Sequence, residues 1–423
     1  MFWPSRPSSP LSCSSWSGRS GASGARPAGR AAASSDRPER RPRGAFSFEA
    51  ACCAAHCLKA GFGLNGRIGI WRRRGMNIIG RFGLPSASGA PATGLHLSPS
   101  GLAGQGTGWL GGVAMLADSV LRGMGQVMFQ NNSYAGLLFL LGIAVNSPLF
   151  AAAALAGTVT STLAALLLGA DRQMVRAGLF GFNGALVGIA LLYFLAPNPL
   201  TWLCVILAAS CATVLMAAMM TLFRGWDLPV LTAPFVLVAL SFFMATARFG
   251  RIEASGLLPT AGLPVKAGPQ GVVTAASLGQ GALEGIGQVF FQGHMVSSAI
   301  FGAGLLIASR RAFVMAVAGT LTGLLIAWAM GASEVSMRAG AFGFNSVLTA
   351  IALGAVFLPP GPRATIYAIF GAAVTPFVAA AAAATMGTFG LPAMTLPFVL
   401  TSWVLLLAAQ SLPGLTAPAA VRR

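Results

Sequence analysis

Gly123-Met124-Gly125-Gln126-Val127-Met128-Phe129-Gln130 returns later in the chain as Gly285-Ile286-Gly287-Gln288-Val289-Phe290-Phe291-Gln292. Each octet sets a carboxamide beside an aromatic ring in an otherwise apolar segment. Hydrogen-bonding groups are costly in hydrocarbon unless something uses them, so a doubled pair of this kind points to two copies of one device. We read the pair as the two ends of one pore.

Around the octets the chain is apolar. Of 423 residues 55% are hydrophobic and 9% charged, with a mean hydropathy of +0.74. Soluble chains carry about 25% charged residues, so this composition predicts a polytopic membrane protein. The net charge of +18 could suggest nucleic acid. About half of the Lys and Arg lie before residue 82, outside the apolar body, so no nucleic-acid partner is expected.

Residues 1–105 form a basic tail rich in Ser, Pro, Gly and Arg, without the apolar periodicity needed to order it. Cys52, Cys53 and Cys57 lie beside His56, but no second ligand pair follows at finger spacing, and no metal or cofactor is expected. Gly61-Phe62-Gly63-Leu64-Asn65-Gly66 fits a dinucleotide fingerprint by letter and lacks the βαβ context that gives it meaning. The tail's composition suits an organelle transit peptide, or a start assigned too early with Met76 or Met115 opening the chain. The second is favoured, because no amphipathic helix is present.

From about residue 105, apolar runs alternate with short polar or Pro-containing connections. A Gly-rich segment ends at Gln130, and runs follow at 134–145, 149–169, 177–195, 200–223 and 229–247. A crossing needs about 20 helical residues, fewer where protein shields it. Each half therefore offers about five crossings and one leading segment too short to cross alone.

The second half repeats the first about 162 residues on. Gly181-Phe182-Asn183 answers to Gly343-Phe344-Asn345, and Leu186 to Leu348. One residue is then inserted, after which Leu228-Pro229-Val230-Leu231-Thr232-Ala233-Pro234-Phe235 answers to Leu391-Pro392-Ala393-Met394-Thr395-Leu396-Pro397-Phe398. An odd number of crossings per half inverts the second copy, giving two inverted repeats at 106–250 and 269–412, a linker at 251–268 and a tail at 413–423. With the N-terminus cytoplasmic, Arg172, Arg176, Arg224, Arg310, Arg311 and Arg363 fall inside and Arg248, Arg251, Lys266 and Arg338 outside. That is the excess the positive-inside rule requires, and it puts both termini in the cytoplasm.

The doubled polar residues are neutral: Gln126 with Gln288, Asn183 with Asn345, Thr232 with Thr395. Coupled transporters usually keep an ionisable group or an oxygen cage at mid-membrane, so neutral doublets favour passive flow of an uncharged, hydrogen-bonding solute. Phe129 and Phe291 would narrow the lumen to a flat slot. Gly-Phe-Asn reads as a helix interruption, which makes Asn183 and Asn345 interhelical glue rather than lining. Asp118 and Glu284 are read as caps or as partners of Arg122, and His294 as solvated. No nucleophile or metal cluster among the spans suggests an enzyme.

Gly-x-Gly-Gln-Val-x-Phe, Gly-Phe-Asn-x-x-Leu and Leu-Pro-x-x-Thr-x-Pro-Phe, twice over in this order, resemble the urea transporter family across roughly residues 110–412. The resemblance implies an all-α polytopic membrane protein of two inverted repeats, each with five transmembrane helices and one re-entrant half-helix. It also implies a homotrimer with a central pore per subunit, in the plasma or inner membrane, within a lipid bilayer, and with urea as permeant. Carried over by motif, the urea-binding residues are Gln126, Val127, Phe129, Leu186 and Thr232 with Gln288, Val289, Phe291, Leu348 and Thr395. The second octet departs from the pattern where Gly293-His294 replaces Asn131-Asn132. The alternative is a channel for another small neutral solute, such as ammonia, water or short amides. An aquaporin or ammonium channel fits poorly, for the chain has no Asn-Pro-Ala pair and no twin pore histidines.

Overall fold

The structure, a computed structural model, describes residues 109–264 and 271–415. The basic tail, the Cys52–Cys57 cluster, the glycine fingerprint, Lys266 and the last residues of the C-terminal tail lie outside the described residues.

Within them the fold is helical, with one isolated bridge between Leu195 and Ala254. The first half runs α1 (Trp109–Gln126), α2 (Ser133–Asn146), α3 (Pro148–Leu167), α4 (Arg172–Arg176), α5 (Gly181–Phe194), α6 (Pro199–Phe223) and α7 (Ala233–Ala245). The second runs α8 (Ala275–Gly287), α9 (Met295–Ala308), α10 (Arg310–Ala329), α11 (Glu334–Arg338), α12 (Phe344–Ile351), α13 (Pro362–Gly387) and α14 (Leu396–Gln410). A π turn, Ala352–Phe357, continues α12. The order is the same in both halves and the boundaries keep a nearly constant offset.

Cap chemistry sets those boundaries twice. Asn132 accepts from the first amides of α2, and His294, at almost the same φ and ψ, does so for α9. Ser147 caps α3 and Ser309 caps α10; Asp171 caps α4 and Ser333 caps α11. Pro199 and Pro362 stand in the first turns of α6 and α13, where a missing N–H costs nothing. His294, expected to be solvated, is instead half-buried as a cap, because a ring nitrogen can accept where Asn132 offers its carboxamide oxygen.

Four helices, α3, α6, α10 and α13, are long and apolar enough to cross a bilayer, and α8 with α9 makes a further candidate bent by 76°. The remaining apolar helices are shorter. The run from 177 becomes helical only at Gly181, since Gly178 is left-handed at φ 76°. The run from 229 becomes helical only at Ala233, after Leu231 at φ 57°. Short helices suffice where protein surrounds them: every residue of α5 except Tyr193 is buried. The long helices turn Leu155, Leu163, Leu203, Leu207, Val314, Leu321, Ile366 and Phe370 outward, an apolar skirt suited to lipid. Small residues bring the inner helices together, and a Cβ on Gly181 would stand 3.2 Å from Gly123 Cα, while one on Gly343 would stand 3.0 Å from Gly285 Cα.

Candidate functional site

Each octet ends its helix in a tight turn. In the first, the Gln130 amide donates to Gly125 O at 2.9 Å and its carboxamide to Met128 O at 2.7 Å, which forces Phe129 to φ 63°. In the second, the Gln292 amide reaches Gly287 O at 3.1 Å, its carboxamide reaches Phe290 O at 2.7 Å, and Phe291 stands at φ 59°. A left-handed residue with a side chain costs about 1–2 kcal/mol. Such strain held in duplicate marks a place where the side chain's direction matters.

That direction takes each ring into the other half. Phe129 meets Phe357 edge-on at 5.8 Å and Phe398 at 5.9 Å. Phe291 meets Tyr193 at 5.6 Å, Phe194 at 6.1 Å and Phe235 at 6.3 Å. Both octet rings stay half-buried, whereas Val127, Val289, Leu186 and Leu348 are buried in the apolar core.

The Leu-Pro-x-x-Thr-x-Pro-Phe motifs form a second strained pair, with Leu231 at φ 57° and Met394 at φ 47°. Asn183 spans the turn after Leu231: its Oδ1 accepts from Phe235 N at 3.2 Å and its Nδ2 donates to Leu231 O at 3.5 Å. Asn345 does the same, accepting from Phe398 N and donating to Met394 O, both at 3.2 Å. Pro234 and Pro397 have no N–H, so the next amide is the donor each helix start must place, and the buried asparagine takes it. The reading of these asparagines as interhelical glue holds, and what they fix is the threonine between their two bonds.

Those threonines meet. Thr232 Oγ1 and Thr395 Oγ1 lie 2.7 Å apart, both buried, as a direct hydrogen bond between the halves. Three residues beyond them, Phe235 and Phe398 touch Phe291 and Phe129 respectively. Threonines and rings thus belong to one assembly.

The glutamines differ. Gln126 is buried and donates to Ala177 O at 2.9 Å. Gln288 is half-buried, and its side chain makes no hydrogen bond among the described residues. The charged neighbours differ as well. Asp118 pairs with Arg122 at 2.8 Å, takes a hydrogen bond from Ser133, and leaves Arg122 to donate to Asn131 Oδ1 at 2.8 Å. Beside the second octet, Glu284 accepts from Gln280 at 2.7 Å.

Four contributors escaped the sequence reading. Gln130 and Gln292 close the octet turns, and their recurrence in the octets was the available signal. Phe194 and Phe357 wall the two rings, but the inserted residue hides their equivalence.

The family model described as "Urea transporter" matches residues 117–410. Among similar curated proteins, urea transporter 1 of Ovis aries is 33% identical over 302 residues, covering 70% of this chain and 78% of its own length. Urea transporter 1 of Rattus norvegicus is 32% identical over 310 residues, with 72% and 79% covered.

Proposed function

The chain belongs to the urea transporter family, and from that premise we propose that it conducts urea passively across a membrane through a narrow pore of its own. The observation that carries the reading is the Thr232–Thr395 hydroxyl pair at 2.7 Å between the two halves, flanked by rings that each half lends to the other.

Urea is flat, neutral and rich in donors and acceptors. Entering the slot formed by Phe129 or Phe291 it sheds water, and ring faces replace only part of that hydration. Gln126 and Gln288 supply directed partners there, with Val127, Val289, Leu186 and Leu348 as apolar walls. At the constriction the solute parts the threonines and takes both hydroxyls. None of these groups is ionisable, so the flow needs no proton or sodium gradient. The two halves are placed as inverted repeats, each with one re-entrant leading helix, in a homotrimer of separate pores with both termini cytoplasmic.

Stopped-flow urea efflux from proteoliposomes tests the proposal. Efflux should follow the urea gradient and persist when proton and sodium gradients are dissipated. Flux of water or ammonia without urea would favour the alternative solutes, and uptake that collapses with either gradient would overturn passive conduction.

A further inference from the structure

The two halves are not equivalent, and one difference between them traces to one inserted residue. Gly157 lies against Gly188 as Gly319 lies against Ala350, so the two halves are still in one register at that level of α5 and α12. Phe194 and Phe357, which play the same part against the octet rings, stand one residue further apart. The extra residue therefore falls within 351–357, where the α-helix widens into the π turn Ala352–Phe357. A π turn is how a helix takes in one residue without losing its direction, and such turns cluster at functional sites.

The turn disturbs a carbonyl. At the end of α5 the closure is ordinary, Leu195 N to Leu191 O at 2.8 Å. In π register Gly354 O would look five residues on to Pro359, which has no N–H. Arg311 Nε donates to Gly354 O instead, at 2.5 Å. The equivalent residue of the first half is Leu149, so this donor exists only where the π turn exists. Gly354 is pressed against α10 beside it, since a Cβ there would strike the Met315 side chain one turn along from Arg311. Arg311 also stands in the first turn of α10, the end of a helix that disfavours a cation. Its Nη2 is buried with no hydrogen-bond partner among the described residues. A guanidinium held at such cost needs a local reason.

We propose that Arg311 is a positioning residue for permeation: by holding Gly354 O it fixes the π turn, and the turn sets Phe357 against Phe129, which fixes the size limit of that mouth. The inference rests on the urea-conducting reading.

The test compares the full chain with Arg311→Leu, which installs the first half's residue, and Arg311→Lys, which keeps a donor. Two quantities are read: amide hydrogen exchange over residues 352–358, and the ratio of urea to dimethylurea flux in proteoliposomes. For Arg311→Leu, exchange should accelerate about tenfold or more, as expected when a charged donor is lost, and the flux ratio should fall severalfold. Arg311→Lys should lie between that variant and the parent. Unchanged exchange in a folded Arg311→Leu protein overturns the proposal, and so does faster exchange with the parental flux ratio. If Arg311→Leu does not assemble, Arg311→Met retains the apolar stem without the donor and carries the same expectations. A parent protein that passes no urea defeats the functional reading, while the exchange data still decide whether Arg311 holds the turn.

Discussion

Replacing Thr232 and Thr395 by valine, singly and together, should rank the variants one way in stability and another way in flux. The hydroxyls have each other as partner at 2.7 Å and are buried. Without solute the parent makes one hydrogen bond there, and with urea between the hydroxyls it makes two, a net gain of one. A single valine variant makes none when empty and one when loaded, again a net gain of one. The double variant gains nothing. At about 1 kcal/mol net per hydrogen bond, the single variants should conduct urea close to the parental rate and the double variant about fivefold more slowly. Stability behaves differently. A single replacement strands one buried hydroxyl, at about 1–3 kcal/mol, whereas removing both with the same shape is nearly neutral. Stopped-flow efflux gives the first ranking and thermal melting of the purified protein the second. Flux in the double variant equal to the parent, or single variants as slow as the double, would refute the idea that these hydroxyls act on the solute.

Gln126→Ala should lower urea flux and keep the size limit, whereas Phe129→Ala with Phe291→Ala should admit dimethylurea relative to urea; equal size selectivity in the double variant and the parent means the rings do not form the slot. Asn345→Leu leaves Phe398 N and Met394 O without their partner, so the protein should lose about 2–4 kcal/mol, and an unshifted melting temperature would remove the asparagine from this role. Arg122→Met removes the 2.8 Å ion pair to buried Asp118 and should cost about 3–5 kcal/mol, much of it recovered by adding Asp118→Leu; no recovery in the paired variant would show that Arg122 acts elsewhere.

Much of this architecture is legible in the residues because it is written twice. Caps at Ser147 and Ser309, the octets, and the Gly-Phe-Asn and Leu-Pro motifs sit at matching places, so matching helix starts follow from recurrence, whereas a shared place for Thr232 and Thr395 is implied only by the family resemblance. What recurrence cannot supply is whatever one half does alone. The engagement of Gln126 by Ala177 O, against a Gln288 carboxamide with no hydrogen bond among the described residues, depends on how each leading helix docks and leaves no trace in matching letters. Hydropathy also overstates helix length at 177 and 229, since left-handed Gly178 and Leu231 delay helices whose composition stays apolar throughout. Phe357 was missed for a related reason, because a π turn moves it out of the register that would have revealed it.

The exchange of rings between halves has a consequence for how the protein is made. Phe129 is synthesised early, yet both of its walls, Phe357 and Phe398, come late, the second from α14, the last long helix described. A growing chain can insert its first seven helices and still expose that ring on an unfinished surface. The packing around Phe129 is thus incomplete until α14 has been made. Truncation between Phe357 and Phe398 would leave the strained Phe129 ring with one of its two aromatic walls, and truncation before Phe357 with neither.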